Sequence, residues 1–168
     1  QWLLWDEQGN KIRQNQWKNG QASGLSIEWN NKGIRIGIWS YSSGVLEIKK
    51  TLQLMSQLVQ ANQKVLGTGH PDMAFSYNYL GRVHANNQTH DKALKSYLKS
   101  LAINLNRLGS EHLHVAKNYH NIGTTYRSMG KYEKALEFLS KASTIWLKQM
   151  GSDHPNMAIS YNQIGSIH

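Results

Sequence analysis

The chain has 168 residues, no cysteine, and 19 Lys+Arg against 10 Asp+Glu, a formal net charge of +9. That length allows one domain or two small ones. The missing cysteine fits a reducing compartment and removes disulfide frameworks, thiolate nucleophiles and cysteine-based zinc sites together. No run of 18 apolar residues occurs, which excludes a spanning helix.

The N-terminal part, 1–48, repeats at a period of twelve. Aromatics stand at Trp5, Trp17, Trp29 and Tyr41, and each is followed by a glycine, at Gly9, Gly20, Gly33 and Gly44. Between the glycines run alternating apolar residues, such as Leu25, Ile27 and Trp29, then Ile34, Ile36 and Ile38. Alternation is the strand signal. Asn19-Gly20 and Asn31-Lys32-Gly33 are turn signals, because tight hairpin turns need positive φ. The pattern predicts an antiparallel meander of four or five short strands. The stretches from Trp5 to Ile12 and from Trp17 to Gly24 resemble MORN-type repeats, over about residues 1–46. That resemblance implies an extended β-ribbon used in scaffolding. The tryptophans are expected to form the core of a thin sheet, with Trp2 and Trp39, which lie off the series, the more exposed ones.

Residues 47–66 read as a connecting or capping helix, in which Leu52, Met55 and Val59 fit one apolar face. From Leu66 onward the chain is self-similar at a period of forty-two. Leu66-Gly67, Leu108-Gly109 and Met150-Gly151 align, as do His70, His112 and His154, then Tyr77, Tyr119 and Tyr161. A period of this size signals a solenoid of supersecondary units. Each unit predicts two helices. Met73, Tyr77 and Leu80, and in the next unit Val115, Tyr119 and Ile122, mark the first. Leu94, Leu98, Leu101 and Leu105 mark the second. Gly67, Gly109 and Gly151 are expected to stop the second helices. Gly81, Gly123 and Gly165 sit mid-helix, where Gly costs about 1 kcal/mol relative to Ala. Close approach of a partner helix, with Ala93 and Ala135 opposite, would explain them.

The segments Leu66-Gly-Thr-Gly-His-Pro-Asp-Met-Ala74, Leu108-Gly-Ser-Glu-His-Leu-His-Val-Ala116 and Met150-Gly-Ser-Asp-His-Pro-Asn-Met-Ala158 resemble tetratricopeptide (TPR) repeats of the kinesin-light-chain type. The fold class expected is α+β: an N-terminal antiparallel β meander over 1–46, a connecting helix over 47–66, and an all-α TPR helical-hairpin solenoid of about two and a half repeats over 67–168. The last unit holds only its first helix, so the chain reads as an excerpt from a longer repeat protein.

Catalytic chemistry is not indicated. His70, His112 and His154 recur once per unit, which suits a structural role near the helix starts better than a metal site. No Gly-x-Ser-x-Gly elbow or phosphate loop occurs, and no cofactor or metal is expected. What the resemblance implies is a groove, because the first helix of each TPR unit lines the concave face. That face would carry Asn78, Arg82 and Asn86, then Lys117, His120, Asn121 and Arg127, then Asn162. In the kinesin-light-chain type, paired Asn residues grip a peptide. Here Asn78 and Asn162 keep one member, the second unit has His120-Asn121, and Tyr79 and Gln163 depart from the pattern. Amides can hold an extended backbone, and Arg and Lys favour acidic ligands.

Residues 49–168 hold 14 basic and six acidic side chains against five and four in residues 1–48, so the basic excess belongs to the solenoid. The expected function is a non-enzymatic adaptor that binds other proteins through an extended, acidic peptide segment. One alternative is a structural subunit of a large cytoskeletal or other assembly. A second is a nucleic-acid or acidic-membrane binder, against which the dispersal of Lys and Arg argues. The expected setting is cytoplasmic, with cytoskeletal association an option.

Overall fold

Turn chemistry and alternation shape the N-terminal part. The computed structural model describes residues 2–5, 11–19, 21–30, 32–42, 45–151 and Gly165. Strands β1 (Trp2–Trp5), β2 (Lys11–Asn15), β5 (Gly24–Trp29), β6 (Arg35–Ser42) and β7 (Val45–Leu46) form one antiparallel sheet in the order β1-β2-β5-β6-β7. Strands β3 (Trp17–Lys18) and β4 (Gln21–Ala22) make a separate hairpin between β2 and β5. Asn19 has φ 52° in that hairpin's turn, the positive value the Asn-Gly signal requires. Asn30 holds the β5–β6 turn, its Oδ1 accepting from the N–H groups of Lys32 and Ile34, both at 2.9 Å.

Among the described residues five helices follow: α1 (Ile48–Leu66), α2 (Pro71–Asn86), α3 (His90–Leu108), α4 (Leu113–Ser128) and α5 (Tyr132–Met150). A shift by one period of forty-two carries α1 onto α3, α3 onto α5 and α2 onto α4, end to end. The local chemistry repeats with the same period. Gly67, Gly109 and Gly151 have φ of 81°, 81° and 80° and each donates its N–H to the carbonyl four residues back. His70 and His112 cap α2 and α4. Their Nδ1 atoms accept from the N–H of Asp72 at 3.2 Å and of His114 at 3.1 Å, so an imidazole does the work that Ser or Asp usually does there. His154 lies outside the described residues.

The same shift explains how sheet and solenoid join. The first helix preceding α1 would fall on residues 29–44, and β6 stands there instead. β7 pairs with β6 only at Tyr41 and Ser42, which leaves most of that edge unpaired. An open edge invites aggregation; α1 covers it. Thr51, Met55 and Asn62 lie on one helix face at i, i+4 and i+11. Thr51 Oγ1 accepts from Ser40 N–H at 2.9 Å, Met55 Sδ accepts from Ile38 N–H at 3.1 Å, and Asn62 Nδ2 donates to the Arg35 carbonyl at 2.8 Å. Thr51 occupies the place of Ala93 and Ala135 one and two periods later, all three fully buried. The hydroxyl is what a strand, unlike a helix, needs from its neighbour.

The core is serial, as a solenoid requires. Ile38, Met55 and Val83 join sheet, α1 and α2; Val59, Met73, Tyr77 and Ile103 join α1, α2 and α3; a third cluster runs from Ala93 through Ile122 to Trp146. Two expectations change. Trp39 is not an exposed tryptophan: it packs edge-on against Tyr79, with centroids 5.0 Å apart at 81°, because α2 lies over that end of β6. Trp5, in the twelve-residue series, is 52% exposed. The side chain of Trp2 lies outside the described residues. Gly81 and Gly123 do mark close approaches, whereas a Cβ at Gly165 would meet nothing within 4 Å among the described residues; the opposing group at Gly81 is the Tyr97 ring rather than Ala93. A Cβ there would lie 2.6 Å from that ring. At Gly123 it would meet Leu139 Cγ at 2.8 Å and the Ala135 carbonyl at 3.1 Å.

Candidate functional site

Alternation of first and second helices leaves α2 and α4 side by side on one face of the array. Two clefts open along their seam. One, of about 70 Å³, is lined by Phe75, Asn78 and Tyr79 of α2 and by His114, Lys117 and Asn118 of α4. The other, of about 230 Å³, is lined by Arg82, Ala85 and Asn86 of α2, by His90 and Tyr97 of α3, and by Asn121, Thr124 and Ser128 of α4. Among the described residues no carboxylate lines either one.

These clefts bring together five of the candidate residues: Asn78 with Lys117, and Arg82 and Asn86 with Asn121. The amide nitrogen of Asn121 and Nδ1 of His90 are buried in the second cleft without a hydrogen-bond partner among the described residues. Such groups favour a ligand that completes them. His120 and Arg127 line neither cleft. One residue is 100° of helical turn, so Lys117, Asn121, Thr124 and Ser128 share a face that His120 and Arg127, seven residues apart, do not. His120 lies against Trp146 of α5, with centroids 5.2 Å apart. Asn162 lies outside the described residues.

A polar layer beneath the first cleft escaped the sequence pattern. Ser100 Oγ donates to the Ala74 carbonyl at 2.7 Å, Asn118 Nδ2 donates to Ser100 Oγ at 2.9 Å, and Asn104 Nδ2 donates to Asn118 Oδ1 at 2.7 Å. This chain links α2, α3 and α4, with Asn118 wholly buried. Satisfied buried networks rigidify what stands on them. A polar residue at the first-helix position facing the second helix was the available signal.

Tyr79, which replaces an expected Asn, ties α2 to the sheet. Its hydroxyl donates to Glu28 Oε1 at 2.8 Å, and Arg13 pairs with Glu28 Oε2 at 3.1 Å. Burial, with the Glu28 charge beside it, pushes the phenol up, so it stays a donor. Burial lowers His114 and His120; His112 and Lys117 add to the first, Arg127 to the second. Both imidazoles are therefore held towards neutrality, and the basic side chains that line the seam's clefts include Arg82 and Lys117. Among the described residues no three His, Asp or Glu side chains converge to hold a metal, and no helix is long and apolar enough to cross a membrane.

No curated protein matches the chain in sequence. Among solved structures it is similar to the kinesin light chain TPR-like repeats of Podosopora anserina, and equally to a version of them with one substitution. Each is 25% identical with a TM-score of 0.67, over 72% of this chain and 57% of that one. BtubC (BKLC) from P. vanneervenii is 21% identical with a TM-score of 0.60, over 72% of this chain and 48% of that one, a likeness of fold. The chain thus spans little more than half the length of the first of these structures. The tetratricopeptide repeat family model matches residues 72–148 and 115–168, and does not reach residues 1–46, where the MORN-type resemblance lies. With more than half of the chain matched, and with paired helices recurring at a period of forty-two, the chain belongs to the tetratricopeptide repeat family.

Proposed function

We propose that this chain is a non-enzymatic protein-interaction scaffold whose concave α2–α4 seam captures an extended, acidic segment of a partner. The supporting observation is the pairing of amides and cations in two clefts that no carboxylate lines among the described residues: Asn78 with Lys117, and Arg82 and Asn86 with Asn121. Amides read the extended backbone through both donor and acceptor, and the cations select acidic side chains. TPR proteins in general bind other proteins, and a cytoplasmic setting belongs to the same proposal.

The test uses a fluorescein-labelled, twelve-residue peptide of alternating Glu and Ser. Arg82→Glu with Lys117→Glu should weaken its binding at least about tenfold, the size of losing charge-assisted contacts. Lys134→Glu with Lys141→Glu on α5 reverses the same number of charges away from the seam. If the two pairs of substitutions act equally, binding follows net charge and the groove is not the site. A second proposal, a subunit buried in a larger assembly, draws on the exposed Leu3, Leu4 and Trp5 of edge strand β1. It predicts concentration-dependent self-association or partner pairing that Trp5→Ser removes, read by sedimentation velocity.

A further inference from the structure

A cleft of about 360 Å³ opens where the sheet meets α2. Its walls come from β2, β4, β5 and β6 on one side and from Tyr79 and Arg82 on the other. Junctions between structural units are favoured places for ligands. Two residues connect this cleft to the concave seam. Tyr79 lines both it and the opening that holds Asn78 and Lys117. Arg82 lines both it and the opening that holds Asn86 and Asn121. All three openings therefore meet on one face of α2.

The charges in the cleft are unequal. Among the described residues Arg13 and Arg82 face a single carboxylate, Glu28, and that carboxylate is already engaged at both oxygens, by Arg13 and by the Tyr79 hydroxyl. Arg82 leans over the Tyr79 ring at 5.8 Å and pairs with no carboxylate among the described residues. A guanidinium offers five donors in a planar fork suited to a carboxylate. Beside it, Trp39, Tyr41 and Leu25 give the cleft an apolar wall.

We propose that this cleft extends the concave site, and that it takes an acidic residue together with an adjoining apolar side chain of the same bound segment. The acid pairs with Arg82; the apolar group rests on Trp39 and Tyr41. The N-terminal sheet then contributes to recognition as well as ending the solenoid, since the TPR helices alone supply neither aromatic. This rests on the groove function proposed above.

The test titrates the intact, ¹⁵N-labelled chain with acetylated and amidated twelve-residue Glu/Ser peptides. One set carries a single Leu moved position by position. The Trp39 indole N–H, assigned through Trp39→Phe, reports the cleft; the side-chain amides of Asn78 and Asn121 report the seam. At least one Leu register should bind about fivefold or more tightly than the Leu-free parent and shift the Trp39 and Asn121 signals together. Tyr41→Ser should remove that gain and leave the affinity of the Leu-free peptide unchanged. The Trp39 shift in the unaltered chain reads the cleft even if Tyr41→Ser folds poorly. Shifts at Asn78 and Asn121 without one at Trp39, or a gain that survives Tyr41→Ser, overturn the cleft and leave the groove standing. No shift at Asn78 or Asn121 with any peptide overturns both.

Discussion

Replacing Gly123 by Ala sets two effects of opposite sign against each other. Ala is the better helix former by about 1 kcal/mol in a helix interior, and α4 is an otherwise regular helix. The new Cβ, however, would lie 2.8 Å from Leu139 Cγ, 3.1 Å from the Ala135 carbonyl oxygen and 3.1 Å from the Leu139 amide nitrogen. The first contact is shorter than carbon atoms tolerate. The other two are to the backbone of α5, which can give only if the helices separate. Ala135 and Leu139 are fully buried, so separation would open the core of the unit. Overpacking of this kind costs about 1–3 kcal/mol. With two of the three contacts on backbone, the upper half of that range applies, leaving a net loss of about 1–2 kcal/mol after the gain in propensity. Urea unfolding followed by circular dichroism should show a lower midpoint with an unchanged slope. In a Leu139→Ala background the penalty should shrink without vanishing, since the backbone contacts remain. A midpoint equal to or above that of the parent chain would refute the close-packing argument and return Gly123 to a mere propensity defect.

Thr51→Val keeps the shape and removes the acceptor for the Ser40 N–H, both residues being fully buried; a loss of about 1–3 kcal/mol is expected, while Thr51→Ser should stay close to the parent, both read by urea midpoint. Asn118→Ala leaves the Asn104 amide without its partner and takes one of two bonds from Ser100, which keeps the Ala74 carbonyl; it should destabilise by about 1–3 kcal/mol, with faster amide exchange in α2 and α4 measured by mass spectrometry. The pH dependence has a definite sign. Burial lowers His84, His114 and His120 below their ordinary value of 6.5, so on acidification the unfolded chain takes these protons first. Their contribution is complete above pH 6.5 and declines as pH falls from there towards the lowered folded values. The urea midpoint should therefore hold above pH 6.5 and drop as pH falls below it, and His120→Gln should flatten the drop.

What could be read from the sequence was local and periodic. The long repeat spacing, the glycine stops and the histidine caps all act within a few residues of themselves, and the structure repeats them in register. The strand alternation from Leu25 to Ile38 was legible for the same reason. Contacts between the two parts of the chain were not. Tyr79 meets Glu28 across 51 residues of sequence, and Trp39 is covered only because α2 folds over β6. The residues that line the seam were partly legible. A helical-wheel count separates Lys117 and Asn121 from His120 and Arg127, but which of the two faces opens to the seam depends on where α2 and α5 lie. Thr51 shows a third kind of limit. As a departure from the Ala found one and two periods later it reads as decay of the repeat, whereas its hydroxyl is the group that lets a helix cover a strand edge.

On the proposed function, the α2–α4 seam holds an extended acidic segment. Placing a photo-reactive benzoylphenylalanine at Asn78, at Ser128 or at Lys141 tests it most directly, with the labelled Glu/Ser peptide as the probe. Asn78 and Ser128 line the two clefts of the seam, while Lys141 is exposed on α5. Peptide cross-links are expected from the first two positions and none from the third, with both suppressed by Arg82→Glu plus Lys117→Glu. Cross-linking from Lys141 alone, or equally from all three positions, would contradict it.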